Sequence, residues 1–164
     1  MKMLRILLCC ATVLVLLIGC APKKGDYFAP FQDEFSARIV GEWQSMEFEA
    51  QLTASAREEN GAREMTVTFY APATLSGTVL KRDASGNLFL SSGTLSLPLG
   101  EGAAAGYAAL LDLFPATGEI CTVTRENGNT RLIGEGFSLL FAPDGTPLAA
   151  ENAAARVQVS EFVR

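Results

Sequence analysis

The sequence has no histidine, a single tryptophan and fewer basic than acidic residues, with 13 Lys and Arg against 18 Asp and Glu. Without histidine, the chain lacks the commonest metal ligand and the usual general base of catalysis. Its formal net charge of −5 argues against nucleic-acid binding, which requires clustered Lys and Arg. We therefore expect no metal, no cofactor and no nucleic-acid partner.

Motifs of common catalytic sites are also missing from the sequence. No serine stands in a Gly-x-Ser-x-Gly turn, and the glycine-rich run from Gly100 to Gly106 lacks the Lys and Ser or Thr that would bind a phosphate. The acidic residues Glu47, Glu49 and Glu64 alternate with apolar residues, which is typical of the solvent-facing side of paired strands. We expect a non-enzymatic protein with no catalytic residues.

The N-terminus has the pattern of an export signal. Lys2 and Arg5 precede an apolar run from Ile6 to Ile18, which is too short for a finished membrane span of about 20 residues. The run closes with Leu17-Ile18-Gly19-Cys20, which resembles the bacterial lipobox. This resemblance implies that residues 1–19 are a lipoprotein signal peptide and that Cys20 is lipidated. Residues 20–28 would form a tether to the extracytoplasmic face of the cell membrane.

Four cysteines would allow two disulfides, but their positions argue against any. Cys9 and Cys10 would leave with the signal peptide, and Cys20 would carry the lipid. Only Cys121 would remain, in the strand-like run Ile120–Thr124. We expect its side chain to be a small buried hydrophobe.

Two segments have helical patterns. Phe28, Phe31, Phe35 and Ile39 are spaced by three, four and four residues, which predicts an amphipathic helix over about 30–40. The alanine-rich stretch from Gly102 to Phe114 predicts a second helix that ends near Pro115.

Most of the remaining chain predicts strands joined by hairpins. Residues 45–57 alternate strictly between polar and apolar side chains, which is typical of a strand with one buried face. Asn60-Gly61 supplies a turn, and Met65–Phe69 repeats the pattern. We therefore expect the α+β class, with an antiparallel, mostly up-and-down sheet covered on one face by helices.

This order of elements resembles the lipoprotein-carrier (LolA/LolB-like) superfamily. The resemblance includes Met65–Phe69, the following Ala71–Gly77, and the late Phe137–Phe141 before Asp144–Pro147 and a closing strand. It implies a single half-barrel domain over 29–164, in which a strongly curved antiparallel sheet is covered on its concave, apolar face by helices. Lipid-anchored members occur among cell-envelope lipoproteins. No functional residue is carried over from the family, because its basic gating residue matches no one position here.

The inward face of the two best-defined strands is the candidate binding surface. Small residues among large ones can leave a hollow for an acyl chain, or can let the alanine-rich helix pack closely. The candidate residues are Phe48, Ala50, Leu52, Ala54, Met65, Val67 and Phe69.

Two functions therefore stay open. The first is a lipid-anchored envelope lipoprotein that binds lipid or lipoprotein acyl chains in its concave face. The alternative is a structural or regulatory envelope module, in which the cavity is filled and a protein partner binds outside it.

Overall fold

A computed structural model of the chain describes residues 26–58 and 62–164. The predicted signal peptide, Cys20, most of the tether and the turn at Asn60-Gly61 lie outside the described residues. Within this part of the chain are a 3₁₀ helix (Asp26–Phe31), an α-helix, α1 (Glu101–Leu111), and eleven strands. The strands are β1 (Phe35–Trp43), β2 (Met46–Ala54), β3 (Met65–Ala71), β4 (Thr78–Arg82), β5 (Leu88–Ser92), β6 (Leu95–Pro98), β7 (Ile120–Glu126), β8 (Asn129–Gly134), β9 (Phe137–Phe141), β10 (Pro147–Asn152) and β11 (Ala155–Val163).

The strands form one antiparallel sheet in the order β6-β5-β4-β3-β2-β1-β11-β10-β9-β8-β7. From β1 at the centre, the chain builds outward by hairpins to β6 at one edge. It then crosses to β7 at the opposite edge and returns by hairpins to β11, which pairs with β1. Because β6 and β7 stand at opposite ends of this order, the sheet is open, and it is curved.

The chain between the two edges, residues 99–119, covers one face of the sheet, and we call it the covering segment. It contains α1 and an irregular stretch around Pro115. Leu110, Leu111 and Phe114 of this segment are buried in a single hydrophobic core with the inward side chains of the strands. The 3₁₀ helix contributes Phe28 and Phe31 to the same core. The core therefore lies between the sheet and the covering segment.

The expected α+β class, with helices covering the concave face, is wrong. The described residues are nearly all antiparallel sheet with one short α-helix, although the open, curved sheet does fit a LolA-like half-barrel. The alanine-rich stretch is helical only as far as Leu111. The core residues that follow it lie in the irregular part of the chain around Pro115. No α-helix in the described residues is long and apolar enough to cross a membrane.

The helix predicted over 30–40 is also wrong, because β1 occupies most of that range. Phe28 and Phe31 lie on the 3₁₀ helix, whereas Phe35 and Ile39 lie on β1, and all four are buried. Along β1, Phe35, Ala37 and Ile39 also satisfy a period of two. Pairing with β2 on one side and β11 on the other makes the extended form the stable one.

The strand predicted over 45–57 is confirmed as β2, although its regular part ends at Ala54. β2 pairs with β3 in a hairpin, and Ser55 N–H donates a hydrogen bond to Glu64 O at 3.0 Å beyond the regular ladder. Pairing with β3 therefore keeps the apolar side chains of β2 on the buried face, as their alternation predicts.

Candidate functional site

The structure brings the seven candidate residues of the concave face together. Cross-strand pairs join Ala50 to Phe69, Leu52 to Val67 and Ala54 to Met65, so the inward side chains of β2 and β3 form one surface. None of the seven side chains is more than 3% exposed. They form part of a packed core rather than the wall of an open hollow.

Trp43 anchors α1 over this surface. The indole Nε1–H donates a hydrogen bond to the carbonyl oxygen of Gly106 at 3.1 Å, and its ring centroid lies 5.0 Å from that of Tyr107. On its other side, the indole ring is 6.1 Å from the ring of Phe69. The only tryptophan therefore links the candidate surface to the helix that packs above it.

Arg63 is a buried cation beside the same core, with 8% of its surface exposed. It donates hydrogen bonds to Phe31 O at 2.7 Å and Phe114 O at 3.4 Å, and its guanidinium lies 5.4 Å from the centroid of the Phe35 ring. Burial, followed by the nearby positive charges of Arg57 and Arg82, lowers the pKa of Arg63 to about 10. The side chain therefore ties the 3₁₀ helix to the covering segment.

Two further contacts hold the covering segment against the sheet. Asn152 Nδ2 on β10 donates a hydrogen bond to Ala109 O at 2.6 Å. Arg82 on β4 forms an ion pair with Asp112 at 2.7 Å. Since these anchors come from both halves of the sheet, the segment is held between β4 and β10.

The covering is incomplete at the β6 end of the sheet. Leu80, Leu90 and Leu97 lie in one cross-strand row on β4, β5 and β6. Leu80 is fully buried, Leu90 is partly exposed, and Leu97 is 51% exposed. Leu95, two positions from Leu97 and therefore on the same face, is 59% exposed. We call Leu90, Leu95 and Leu97 the open-end leucines.

The free edge of β6 is poorly suited to add another strand. Leu99 N–H donates to Leu88 O on β5 at 2.8 Å, so the alternating backbone groups at residues 96 and 98 face outward. Pro98 has no N–H to donate, which is a common way to blunt a sheet edge. The open-end leucines therefore offer side-chain contact more than main-chain pairing.

The predicted polar faces are solvated, as expected. Glu49 forms an ion pair with Arg38, which also lies 5.2 Å from the centroid of the Tyr70 ring. Glu64 forms an ion pair with Lys81 at 3.1 Å. These partly exposed pairs add little to stability and show no catalytic arrangement.

The prediction that Cys121 is buried is wrong, because its side chain is exposed. Cys121 lies on β7 at the edge of the sheet, where the register with β8 shifts between Ile120 and Thr122. An irregularity of this kind turns a side chain away from the alternation that the sequence predicts.

Sequence reasoning missed two features of this region. Arg63 is a charged residue in a polar stretch between two strands, and no feature of the neighbouring sequence indicates that its side chain is buried. The open-end leucines lie in sequence that predicts strands joined by hairpins, but this pattern does not indicate that they are exposed. Their alternation in Leu95-Ser96-Leu97 was visible, but the edge position of β6 depends on the topology.

No protein-family profile matches the sequence, and no curated protein sequence matches it significantly. Among solved structures, an uncharacterized conserved protein from Thermus thermophilus is similar with a TM-score of 0.50 and 16% identity, over 83% of this chain and 81% of that protein. MucB is similar with a TM-score of 0.50 and 16% identity, over 88% of this chain and 59% of MucB. The chain therefore spans about three-fifths of the length of MucB.

A third similar structure is a LolA superfamily protein from Nitrosomonas europaea, with a TM-score of 0.41 and 10% identity over 87% of this chain and 93% of that protein. The likeness to the Thermus thermophilus protein and to MucB is one of fold alone, since each is 16% identical to this chain. MucB of Pseudomonas aeruginosa is also described in a complex structure with MucA.

Proposed function

We propose that this protein is a lipid-anchored envelope lipoprotein that binds a protein partner through the open-end leucines. The observation that carries the proposal is a filled concave face beside an uncovered apolar end. The seven candidate cavity residues are buried, whereas Leu95 and Leu97 are each more than half exposed on the same side of the sheet. An apolar patch next to a packed core is typical of a contact surface.

The anchor rests on the lipobox resemblance of Leu17–Cys20 at the N-terminus. Two long acyl chains on Cys20 would give stable attachment, since each buried CH₂ contributes about 0.8 kcal/mol. Phe28 is already packed in the core, so the chain from Cys20 to Phe28 spans at most about 28 Å when fully extended. The domain would therefore be held close to the membrane surface.

The likeness to MucB in fold is consistent with this function, because MucB is described in complex with MucA. The same partner is not assigned to this chain. What we propose is the kind of ligand, namely a protein with an apolar surface that fits the open-end leucines.

A photo-crosslinking amino acid placed at position 97 tests the proposal in the producing cells. We expect one discrete protein adduct with the probe at 97 and none with the probe at Ser96, which lies on the same strand but on the other face. Adding Leu95→Lys should abolish the adduct at 97. Absence of a protein adduct at 97, or equal adducts at both positions, would contradict a partner at this surface.

Acyl-chain binding remains the second candidate. The observation in its favour is that the inward residues of β2 and β3 form a continuous apolar surface under a covering segment that belongs to neither strand ladder. If the segment moved away, an acyl chain could replace its buried side chains. A fluorescent fatty-acid probe that binds the wild-type protein saturably, and is displaced by unlabelled fatty acid, would support this function.

A further inference from the structure

Three arginines converge on one pocket that the proposed function does not use. The pocket has a volume of about 340 Å³ and lies between the turn after β4, the chain entering β3 and the covering segment. Arg57, Arg63 and Arg82 line it together with Asp83 and Asp112, opposite Phe114 to Thr117. We call it the arginine pocket.

The two carboxylates of the arginine pocket are already engaged. Asp112 accepts a hydrogen bond from Arg82 Nη1 at 2.7 Å. Asp83 caps its own turn, in which its Oδ1 accepts hydrogen bonds from the backbone N–H groups of Ser85 and Asn87, both at 2.9 Å. Among the described residues, neither Arg57 nor Arg63 has a carboxylate within ion-pair distance. Arg82 is engaged as well, since its Nη2 donates to Met65 Sδ at 2.9 Å. The excess of positive charge in the lining therefore comes from Arg57 and Arg63.

Arg63 forms the buried side of the pocket and retains unused donors. A guanidinium carries five N–H donors, and the two hydrogen bonds of Arg63 go to neutral carbonyl groups. In the described residues, no fully buried side-chain nitrogen or oxygen lacks a partner, so the Nε of Arg63, which makes neither of these hydrogen bonds, is not fully buried. Burial and the positive charges of Arg57 and Arg82 disfavour the charged form of Arg63, whereas Asp112 favours it, and an anion bound in the pocket would offset the repulsion.

We propose that the arginine pocket binds a phosphate group, either as a free phosphate or as the headgroup of a lipid. Guanidinium groups bind phosphate through parallel, charge-assisted hydrogen bonds. Guanidinium groups that approach from two elements, the β2–β3 connection and β4, suit the tetrahedral oxygens of a phosphate better than the two coplanar oxygens of a carboxylate. The pocket volume equals that of about ten water molecules, which leaves room for the group and its water. This site is separate from the open-end leucines.

Titration of the purified full-length protein in detergent with inorganic phosphate tests the site. The side-chain Nε–Hε signals of the arginines are followed by NMR, with phosphate replacing chloride at constant ionic strength. These signals should shift saturably. Arg57→Gln should weaken binding about tenfold, since it removes one charge-assisted contact from an exposed position. The matched control Arg156→Gln, at an exposed arginine paired with Glu151, should leave binding unchanged.

The site is overturned if no saturable shift occurs, or if Arg156→Gln weakens binding as much as Arg57→Gln. Acetate that binds as tightly as phosphate would overturn the preference for phosphate. Monomeric short-chain phosphatidylglycerol, below its micelle concentration, distinguishes the two sources. Tighter, Arg57-dependent binding of this lipid supports a headgroup, whereas Arg57-dependent binding of inorganic phosphate alone supports free phosphate.

Discussion

Leu80 and Leu97 lie in one row across the sheet, joined through Leu90, yet Leu80 is fully buried and Leu97 is 51% exposed. The same residue type on the same face therefore has opposite environments only two strands apart. The covering segment begins immediately after β6 and crosses towards β7, so it leaves the outermost strand bare. This difference separates a buried, stabilising position from an exposed one.

The first prediction compares these two leucines. Leu80→Ala should lower the free energy of unfolding by about 2–5 kcal/mol, because it leaves a cavity in the core. Leu97→Lys should change it by no more than about 0.5 kcal/mol, since the side chain is half exposed. Urea unfolding of both variants measures the difference. A large loss for Leu97→Lys would mean that this residue is structural, and would contradict the open-end leucines as a binding surface.

The second prediction concerns the packed concave face. Ala50→Trp and Ala54→Trp should each cost about 1–3 kcal/mol or more, because both positions are already enclosed by core side chains. Thermal unfolding and binding of a fluorescent fatty-acid probe should be measured together. If the variants keep the stability of the wild-type protein but lose probe binding, the result would instead support an acyl-chain hollow and would favour the second candidate function.

The third prediction concerns the contact of β1 with β11. A β-carbon at Gly41 would overlap the carbonyl oxygen of Arg156, so Gly41→Ala must separate the two strands that join the halves of the sheet. We expect a loss of about 2 kcal/mol or more in the free energy of unfolding. The control Gly102→Ala lies in α1 with open space around it, and should be neutral or stabilising by up to about 1 kcal/mol. Equal effects would show that close approach at Gly41 is unimportant.

The fourth prediction concerns Cys121. Because its side chain is exposed, Cys121→Ala should change the free energy of unfolding by less than about 0.5 kcal/mol. The thiol should react stoichiometrically with a thiol reagent in the folded protein. Reaction only after denaturation would indicate a buried thiol, contrary to the edge position on β7.

The fifth prediction concerns the anchor. Cys20→Ala should prevent lipidation and lipobox cleavage while leaving the domain folded, because Cys20 precedes the first core residue. Mass spectrometry of protein extracted from membranes should show the diacylglyceryl adduct only in the wild-type chain. Processed wild-type protein that is soluble and carries no lipid would contradict the lipoprotein interpretation.

Several features of this protein follow from its sequence alone. The alternation of β2 and the repeat in Met65–Phe69 specify which side chains face inward, because a strand places successive side chains on opposite faces. The alanine-rich stretch specifies α1 through local propensity. The lipobox pattern remains a prediction.

Only the tertiary structure decided whether the concave face is open or filled. Leu110, Leu111 and Phe114 meet β2 and β3 because β6 and β7 occupy opposite edges, which forces the chain between them across the sheet. The same topology determines that Phe35 and Ile39 belong to a strand, that Arg63 is buried and that Leu97 is exposed. These outcomes depend on contacts between residues far apart in the chain, whose energies outweigh the local patterns around each residue.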